Sequence, residues 1–172
     1  KNTLVHAYGG ISNRPGLQFL APVKDHDYAP SFIEFQFKTT DTYMLEFGDL
    51  YMRVYRNDVL LTEADKTITG ATAANPVVVT SASHGYTTGD QVYISGVAGM
   101  TELNGRWFTV GTTATNTFAL TSQTSGSNIN GTAYTAYSSG GTAAKVYEIT
   151  TPYDIDDVPL IKYTQSADVM TL

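Results

Sequence analysis

Ser31-Phe32-Ile33-Glu34-Phe35-Gln36-Phe37-Lys38 alternates. Phe32, Glu34, Gln36 and Lys38 share one face of an extended chain, and Ile33, Phe35 and Phe37 share the other. Side chains along a strand point to opposite sides in turn, so this is the pattern of a half-buried β-strand. Thr42-Tyr43-Met44-Leu45-Glu46-Phe47 follows, and Leu50-Tyr51-Met52-Arg53-Val54-Tyr55 returns. Gly48-Asp49 between them predicts a two-residue hairpin turn with glycine first. Asn57-Asp58 predicts a second tight turn before Val59-Leu60-Leu61. The result is an antiparallel meander of three or four strands. No segment sustains the 3.6-residue period of an amphipathic helix. One helical turn is expected at Asp154-Ile155-Asp156-Asp157, with Asp154 as N-cap and the acids at the positive end of the dipole. The chain as a whole reads as all-β.

Residues 66–146 differ in composition from their flanks. They hold most of the glycines and many Ser and Thr, but only five charged residues: Lys66, Asp90, Glu102, Arg106 and Lys145. Val77-Val78-Val79, Val92-Tyr93-Ile94, Trp107-Phe108-Thr109-Val110 and Thr117-Phe118-Ala119-Leu120 recur through them. Asn75-Pro76, Gly85, Gly89-Asp90, Gly99, Asn104-Gly105 and Asn116 punctuate these runs. Short β-rich runs between turn signals predict a small barrel or sandwich. Ser122 to Gly131 is expected to be its loosest stretch. The flank after residue 146 regains the charged, aromatic character of the first. A compact module with close ends can be inserted into a surface hairpin at little cost, since loop-closure entropy grows slowly with length. Residues 1–65 and 147–172 are therefore expected to form one discontinuous meander or sandwich unit, interrupted by an inserted small β-barrel at 66–146.

The net charge is −6, and no Lys/Arg cluster occurs. That argues against binding a phosphate backbone as the main task. The chain has no cysteine, so it can form neither disulfides nor thiolate metal sites. No apolar run reaches the roughly 18–20 residues of a membrane helix. The first residues, Lys1-Asn2-Thr3-Leu4-Val5-His6, lack the apolar region of a signal peptide. The start on Lys and the close on Ala167-Asp168-Val169-Met170-Thr171-Leu172 suggest a piece of a longer protein.

Motifs for catalysis are missing from the sequence. His6, His26 and His84 are not spaced as a metal pair. His84-Gly85 reads as a turn, and Asp25-His26-Asp27 as a charged loop. Asp154, Asp156 and Asp157 begin like a calcium loop. Pro159 and Gln165, however, stand where that loop needs Gly and Glu. Ser95-Gly96 has no glycine two before the serine, so it is not a nucleophile elbow. Gly9-Gly10 and Gly140-Gly141 have no following Lys-Ser/Thr, so neither is a phosphate loop. Asn130-Gly131-Thr132 is a formal glycosylation sequon. No catalytic residue, cofactor or metal site is predicted.

The flanks resemble a family. Tyr8-Gly9-Gly10-Ile11-Ser12-Asn13-Arg14-Pro15-Gly16-Leu17-Gln18-Phe19 is similar to the G-G-x-x-x-R-P-G-T-x-F segment of podovirus tail nozzle proteins, the lower tail tubular proteins. Leu17 stands where that family usually has Thr. Ala21-Pro22-Val23-Lys24-Asp25, the strand from Phe32 to Phe37, and Tyr43 to Tyr55 with Gly48 follow in the same order. Tyr147-Glu148-Ile149-Thr150-Thr151-Pro152-Tyr153 and Tyr163-Thr164-Gln165-Ser166-Ala167-Asp168-Val169-Met170 are the most specific parts. The middle resembles a β-barrel module of phage tail proteins that is similar to the first catalytic-cysteine half-domain of ubiquitin-activating enzymes. The runs carrying that likeness include Asn75 to Thr80, Gly89 to Val97, Leu103 to Val110 and Asn116 to Leu120.

These resemblances imply a non-enzymatic structural protein of the virion, made in the host cytoplasm and located in the phage tail. Its partners would be copies of itself in a ring and neighbouring tail proteins, with DNA only passing through. They imply structural or assembly roles for Gly9, Gly10, Arg14, Pro15, Gly16, Gly48, Pro152, Tyr153, Gln165, Ser166 and Asp168. Two other functions compete. The insert could bind a host glycan or a fibre protein through Trp107, or the chain could be a cell-wall hydrolase, which would need a paired carboxylate or a nucleophile in a cleft.

Overall fold

The computed structural model describes residues 3–5, 7, 9, 11–13, 19–38 and 41–172; for 3–5, 11, 13, 37 and 41 it describes the backbone alone. Gly10, Arg14, Pro15 and Gly16 lie outside the described residues. The described chain is built from β-strands and two short 3₁₀ turns. Among the described residues no helix is long and apolar enough to cross a membrane.

A first hairpin pairs β1 (Thr3–Val5) with β2 (Ile11–Asn13). The meander read from the sequence is β3 (Ser31–Lys38), β4 (Asp41–Gly48), β5 (Tyr51–Arg56) and β6 (Val59–Leu60). Then come β7 (Lys66–Thr67), β8 (Gly70–Ala71), β9 (Val78–Thr80), β10 (Gln91–Ala98), β11 (Arg106–Ala114), β12 (Thr117–Thr121) and β13 (Ser139–Lys145). The chain closes with β14 (Glu148–Thr150), β15 (Thr164–Ser166) and β16 (Val169–Thr171). Five strands form one antiparallel sheet in the order β14-β5-β4-β3, with β6 also on β5. Seven form another, in the order β7-β13-β10-β11-β12-β9-β8. The last two make a separate hairpin.

The alternation in β3 works as the sequence suggests. Ile33 is buried and Phe35 half-buried, while Phe32, Glu34, Gln36 and Lys38 face out. Ile33 packs with Phe47 and Val158, and Leu45, Met52 and Tyr153 close around them. The first hairpin turn differs from expectation by one residue. Gly48 pairs with Tyr51 inside the ladder, so Asp49-Leu50 form the turn and Leu50 takes a left-handed φ of 60°. The reason is a side chain. A Cβ on residue 48 would overlap the Tyr51 ring, so glycine is needed for packing rather than for the turn. Asn57 and Asp58 do make the second turn, with φ of 50° and 60°, as a two-residue hairpin with both central residues left-handed requires.

The seven-stranded sheet wraps a core of Ile68, Val79, Val92, Ile94, Phe108, Phe118 and Leu120, among other residues between 68 and 143. Its edge strands β7 and β8 are consecutive in the chain. Between them, Ile68 N–H donates to Gly141 O on β13 and Thr69 N–H donates to Thr80 O at the end of β9. The sheet curls until its two edges meet in one segment. It keeps two edges rather than an unbroken ladder, because residues 66–71 give only a two-residue strand to each neighbour. The expected closed barrel is thus replaced by a curled open sheet. The stretch from Ser122 to Gly131, expected to be loose, is hydrogen-bonded. Ile129 N–H donates to Leu120 O, Val77 N–H donates to Ile129 O, and Gly131 N–H donates to Ala74 O. Ile129 packs on the core, which draws its backbone into line with the strands.

Candidate functional site

The residues most unlike an ordinary β core lie where the two sheets meet. On β5 the alternation places Tyr51, Arg53 and Tyr55 on one buried face. Glu46 of β4 stands opposite Arg53 in the ladder. Glu46 is 0 % exposed and Arg53 1 %, which for a carboxylate and a guanidinium demands partners. Tyr51 OH and Tyr55 OH donate to the two oxygens of Glu46 at 3.0 and 2.6 Å. Arg53 Nε and one terminal nitrogen both reach Glu148 Oε2 on β14 at 3.1 Å. Its other terminal nitrogen donates to Gln91 Oε1 on β10 at 2.8 Å.

Gln91 is the first residue of a strand in the other sheet, so Arg53 ties the two sheets together. Gln91 Nε2 in turn donates to Lys24 O at 3.3 Å, and Lys24 Nζ pairs with the second oxygen of Glu148. Both cations lie over the Tyr51 ring, Lys24 at 4.8 Å and Arg53 at 5.2 Å from its centre. Burial, followed by the charge of Glu46, pushes the Tyr51 phenol well above its ordinary range. Burial and the hydrogen bond to Glu46 do the same to Tyr55.

The main chain crosses this seam twice, side by side. Thr62 bridges to Val146, Glu63 N–H donates to Lys145 O, and Tyr147 N–H donates to Leu61 O. An apolar cluster of Tyr55, Leu60 and Val146 seals it, with Ala21 and Trp107 packed against it. A polar cavity of about 440 Å³ opens beside it, bordered by Lys24, Arg53, Asp90, Gln91, Lys145 and Glu148. The charges around that cavity are already matched: Lys145 Nζ lies 3.3 Å from Asp90, and Arg53 and Lys24 share Glu148. The arrangement braces the sheets and presents no unpaired base or nucleophile.

The residues singled out by the sequence are distributed over several places. Gly9 is exposed, with φ 88°. Gly48, against the Tyr51 ring, and Tyr153 come together. Tyr153 O accepts from Leu50 N–H at 2.8 Å, and its ring meets Phe47 edge-on at 6.4 Å. Pro152 is exposed beside it. Gln165 projects from β15 onto Gln36 of β3. Ser166 pairs with Val169 across a turn made by Ala167 and exposed Asp168. Trp107 is half-buried, its ring 4.9 Å from that of Tyr93 and its body on the seam cluster.

The remaining polar candidates have internal partners. His84 is buried; Nδ1 accepts from Tyr86 N–H, and Nε2 lies 2.9 Å from Ala114 O. The ring is thereby held as a brace against Tyr86 and Phe118. Asp25, His26 and Asp27 form a cluster on the surface, where Asp25 accepts from Asp27 N–H. Asp154 Oδ1 accepts from the N–H groups of Asp156 and Asp157, which makes it the cap of the expected turn, and the 3₁₀ helix Val158–Leu160 follows. Sequence reading missed Arg53, Glu46 and Gln91. The signal was available for Arg53, because strand alternation groups it with Tyr51 and Tyr55.

Residues 74–147 match the family model of the ubiquitin-activating enzyme E1 FCCH domain. The FCCH-like segment begins after β8 and ends one residue beyond Val146, so it covers β9 to β13 of the curled sheet. It carries no cysteine. The segment includes Gln91, the residue that receives Arg53 from the neighbouring sheet. No curated protein matches the chain.

Proposed function

We propose that this chain is a structural, non-enzymatic part of a bacteriophage tail nozzle, with the FCCH-like segment as an inserted module on its wall. The observation that carries the reading is the seam. Its buried ionisable side chains are both spent on structure: Arg53 reaches Gln91 in the other sheet, and Glu46 is held by Tyr51 and Tyr55 within its own. A wall protein needs such rigidity, whereas an enzyme needs a reactive group kept free in a cleft. The resemblance of the flanks to nozzle proteins supports the same reading, as does the net charge of −6, which disfavours adhesion of passing DNA. On this reading the chain's partners are further copies of itself and adjoining tail proteins.

A glycan- or fibre-binding role for the insert draws no support from Trp107, whose ring packs into the seam and against Tyr93. The test is peptide mass spectrometry of purified phage particles. Peptides from both 31–60 and 74–147, at the abundance of other tail proteins, are the expected result. Their absence from particles, with the protein present in infected cells, would overturn it.

A further inference from the structure

A second polar cleft, of about 430 Å³, shares Lys24, Gly89 and Gln91 with the cavity beside Arg53. Part of its wall is Asp49, in the turn between β4 and β5, together with Asp25. The rest comes from the FCCH-like segment: Thr109 on β11, and Ser122 and Gln123 just after β12. Strand pairing fixes this part. Gln91, Thr109 and Thr121 stand opposite one another across β10, β11 and β12, and Gln123 is two residues beyond Thr121. The turn that follows is held by Gly126 N–H, which donates to Ser122 O at 2.9 Å.

The two parts of the wall differ in kind. Asp25 and Asp49 are acceptors. Each takes a backbone N–H on Oδ1, from Asp27 at 2.9 Å and from Ile155 at 3.1 Å, and each has a second oxygen to offer. The FCCH-like part carries donors. Gln123 Nε2 is buried, and among the described residues it has no hydrogen-bond partner. A buried donor left unpaired is uncommon and marks a place for a water, an ion or a ligand. Ser122 Oγ accepts from Ser125 N–H at 3.3 Å, which leaves its own proton to donate. Thr109 adds another hydroxyl.

A ligand hydroxyl both donates and accepts, so hydroxyls can serve both kinds of wall. An anion would meet two carboxylates, and Lys24, the cation lining the cleft, is already paired with Glu148. A metal cation would suit the carboxylates but give the Gln123 N–H nothing to donate to. We propose that this cleft binds a neutral, hydroxyl-rich ligand, a sugar. Its hydroxyls donate to Asp25 and Asp49 and accept from Gln123, Ser122 and Thr109. The Tyr51 ring in the wall already carries Lys24 at 4.8 Å and Arg53 at 5.2 Å from its centre, and stacking on it adds nothing. Hydrogen bonds alone set the affinity, and a Kd of about 1–10 mM is expected. The site involves neither Trp107 nor the nozzle reading.

The experiment titrates the isotopically labelled full chain with glucose, galactose and mannose, each up to about 50 mM, and follows it by NMR. At least one sugar should give saturable shifts at the Gln123 side-chain amide and at the backbone N–H groups of Asp49 and Thr109. Gln123→Ala should weaken that binding about tenfold, read at Asp49 and Thr109, with a melting temperature no lower than the parent's. Asp49→Asn, which keeps an oxygen for Ile155 N–H, should weaken it to a similar degree. Dextran, galactan and mannan at matched concentrations of sugar units separate two sources of the ligand. Tighter binding of the polymer assigns the cleft to a polysaccharide chain, and weaker binding assigns it to a free sugar. Glycerol and calcium chloride are the controls. The absence of saturable shifts with all three sugars, which would leave the cleft to water, would overturn the proposal. So would equal shifts with glycerol or calcium, or binding that both substitutions leave unchanged.

Discussion

Replacing Arg53 by Met tests how far the seam holds the protein together. Methionine keeps most of the apolar stem, so the change isolates the guanidinium. Three consequences follow from the geometry. Gln91 Oε1, in a side chain 5 % exposed, loses its donor at 2.8 Å, and an orphaned buried acceptor costs roughly 1–3 kcal/mol. Glu148 loses one of its two cations. Because its side chain is 27 % exposed and Lys24 remains, that loss is closer to the ~1 kcal/mol of a screened pair than to the ~3–5 kcal/mol of a buried one. Glu46, fully buried, keeps its two tyrosine donors but loses the cation opposite it in the ladder. The sum is about 3 kcal/mol, a large share of the roughly 5–15 kcal/mol that keeps a domain folded. Urea unfolding followed by circular dichroism reads it, and the melting temperature should fall by about 10 °C. Glu148→Gln in the Arg53→Met background should cost less than the two single changes added together, because the carboxylate has already lost its buried partner. A melting temperature for Arg53→Met within ~2 °C of the parent would refute the reasoning, since it would mean the seam contributes under ~1 kcal/mol.

Gly48→Ala forces a methyl group into the Tyr51 ring and should cost about 1–3 kcal/mol, with the Tyr51 bond to Glu46 lost from the phenol's spectrum; denaturant unfolding and ultraviolet difference spectroscopy check both. The phenols of Tyr51, Tyr55 and Tyr86 are held above their ordinary range, chiefly by burial. A raised phenol contributes stability that is present below about pH 10 and is lost as pH rises beyond it, so the melting temperature should drop steeply in alkali and less steeply in Tyr55→Phe. Glu102 is held below the usual carboxylate range, first by the backbone N–H of Thr135. A lowered carboxyl contributes stability above its unfolded value and loses it in acid. Glu102→Gln should therefore be less stable than the parent at pH 7, with the gap closing below about pH 4 in a melting-temperature series.

How much of this was legible in the sequence depended on whether an element was specified by its own residues. The β3 alternation, the Asn57-Asp58 turn and the Asp154 cap are local, and each formed where its residues placed it. The first hairpin shifted because Gly48 answers to a ring three residues away, and periodicity does not register ring volume. The stretch from Ser122 to Gly131 has the composition of a loop, yet long-range bonds from Ile129 and Gly131 hold it. The small barrel expected from the spacing is an open curled sheet for a related reason. Edge contacts of two residues each depend on where Ile68 is buried, and spacing alone does not give that. The seam was the least legible part. Arg53, Gln91 and Glu148 lie far apart in the sequence, and nothing local pairs them. Gln165 was singled out by resemblance, and its contact with Gln36 is what the structure adds.

The most direct test of the proposed role is electron microscopy of purified phage particles labelled with an antibody raised to residues 66–146. The account predicts label at the distal end of the tail, in copies arranged around its axis. Label confined to another part of the particle, or intact tails without label whose mass spectra also lack the protein, would contradict it.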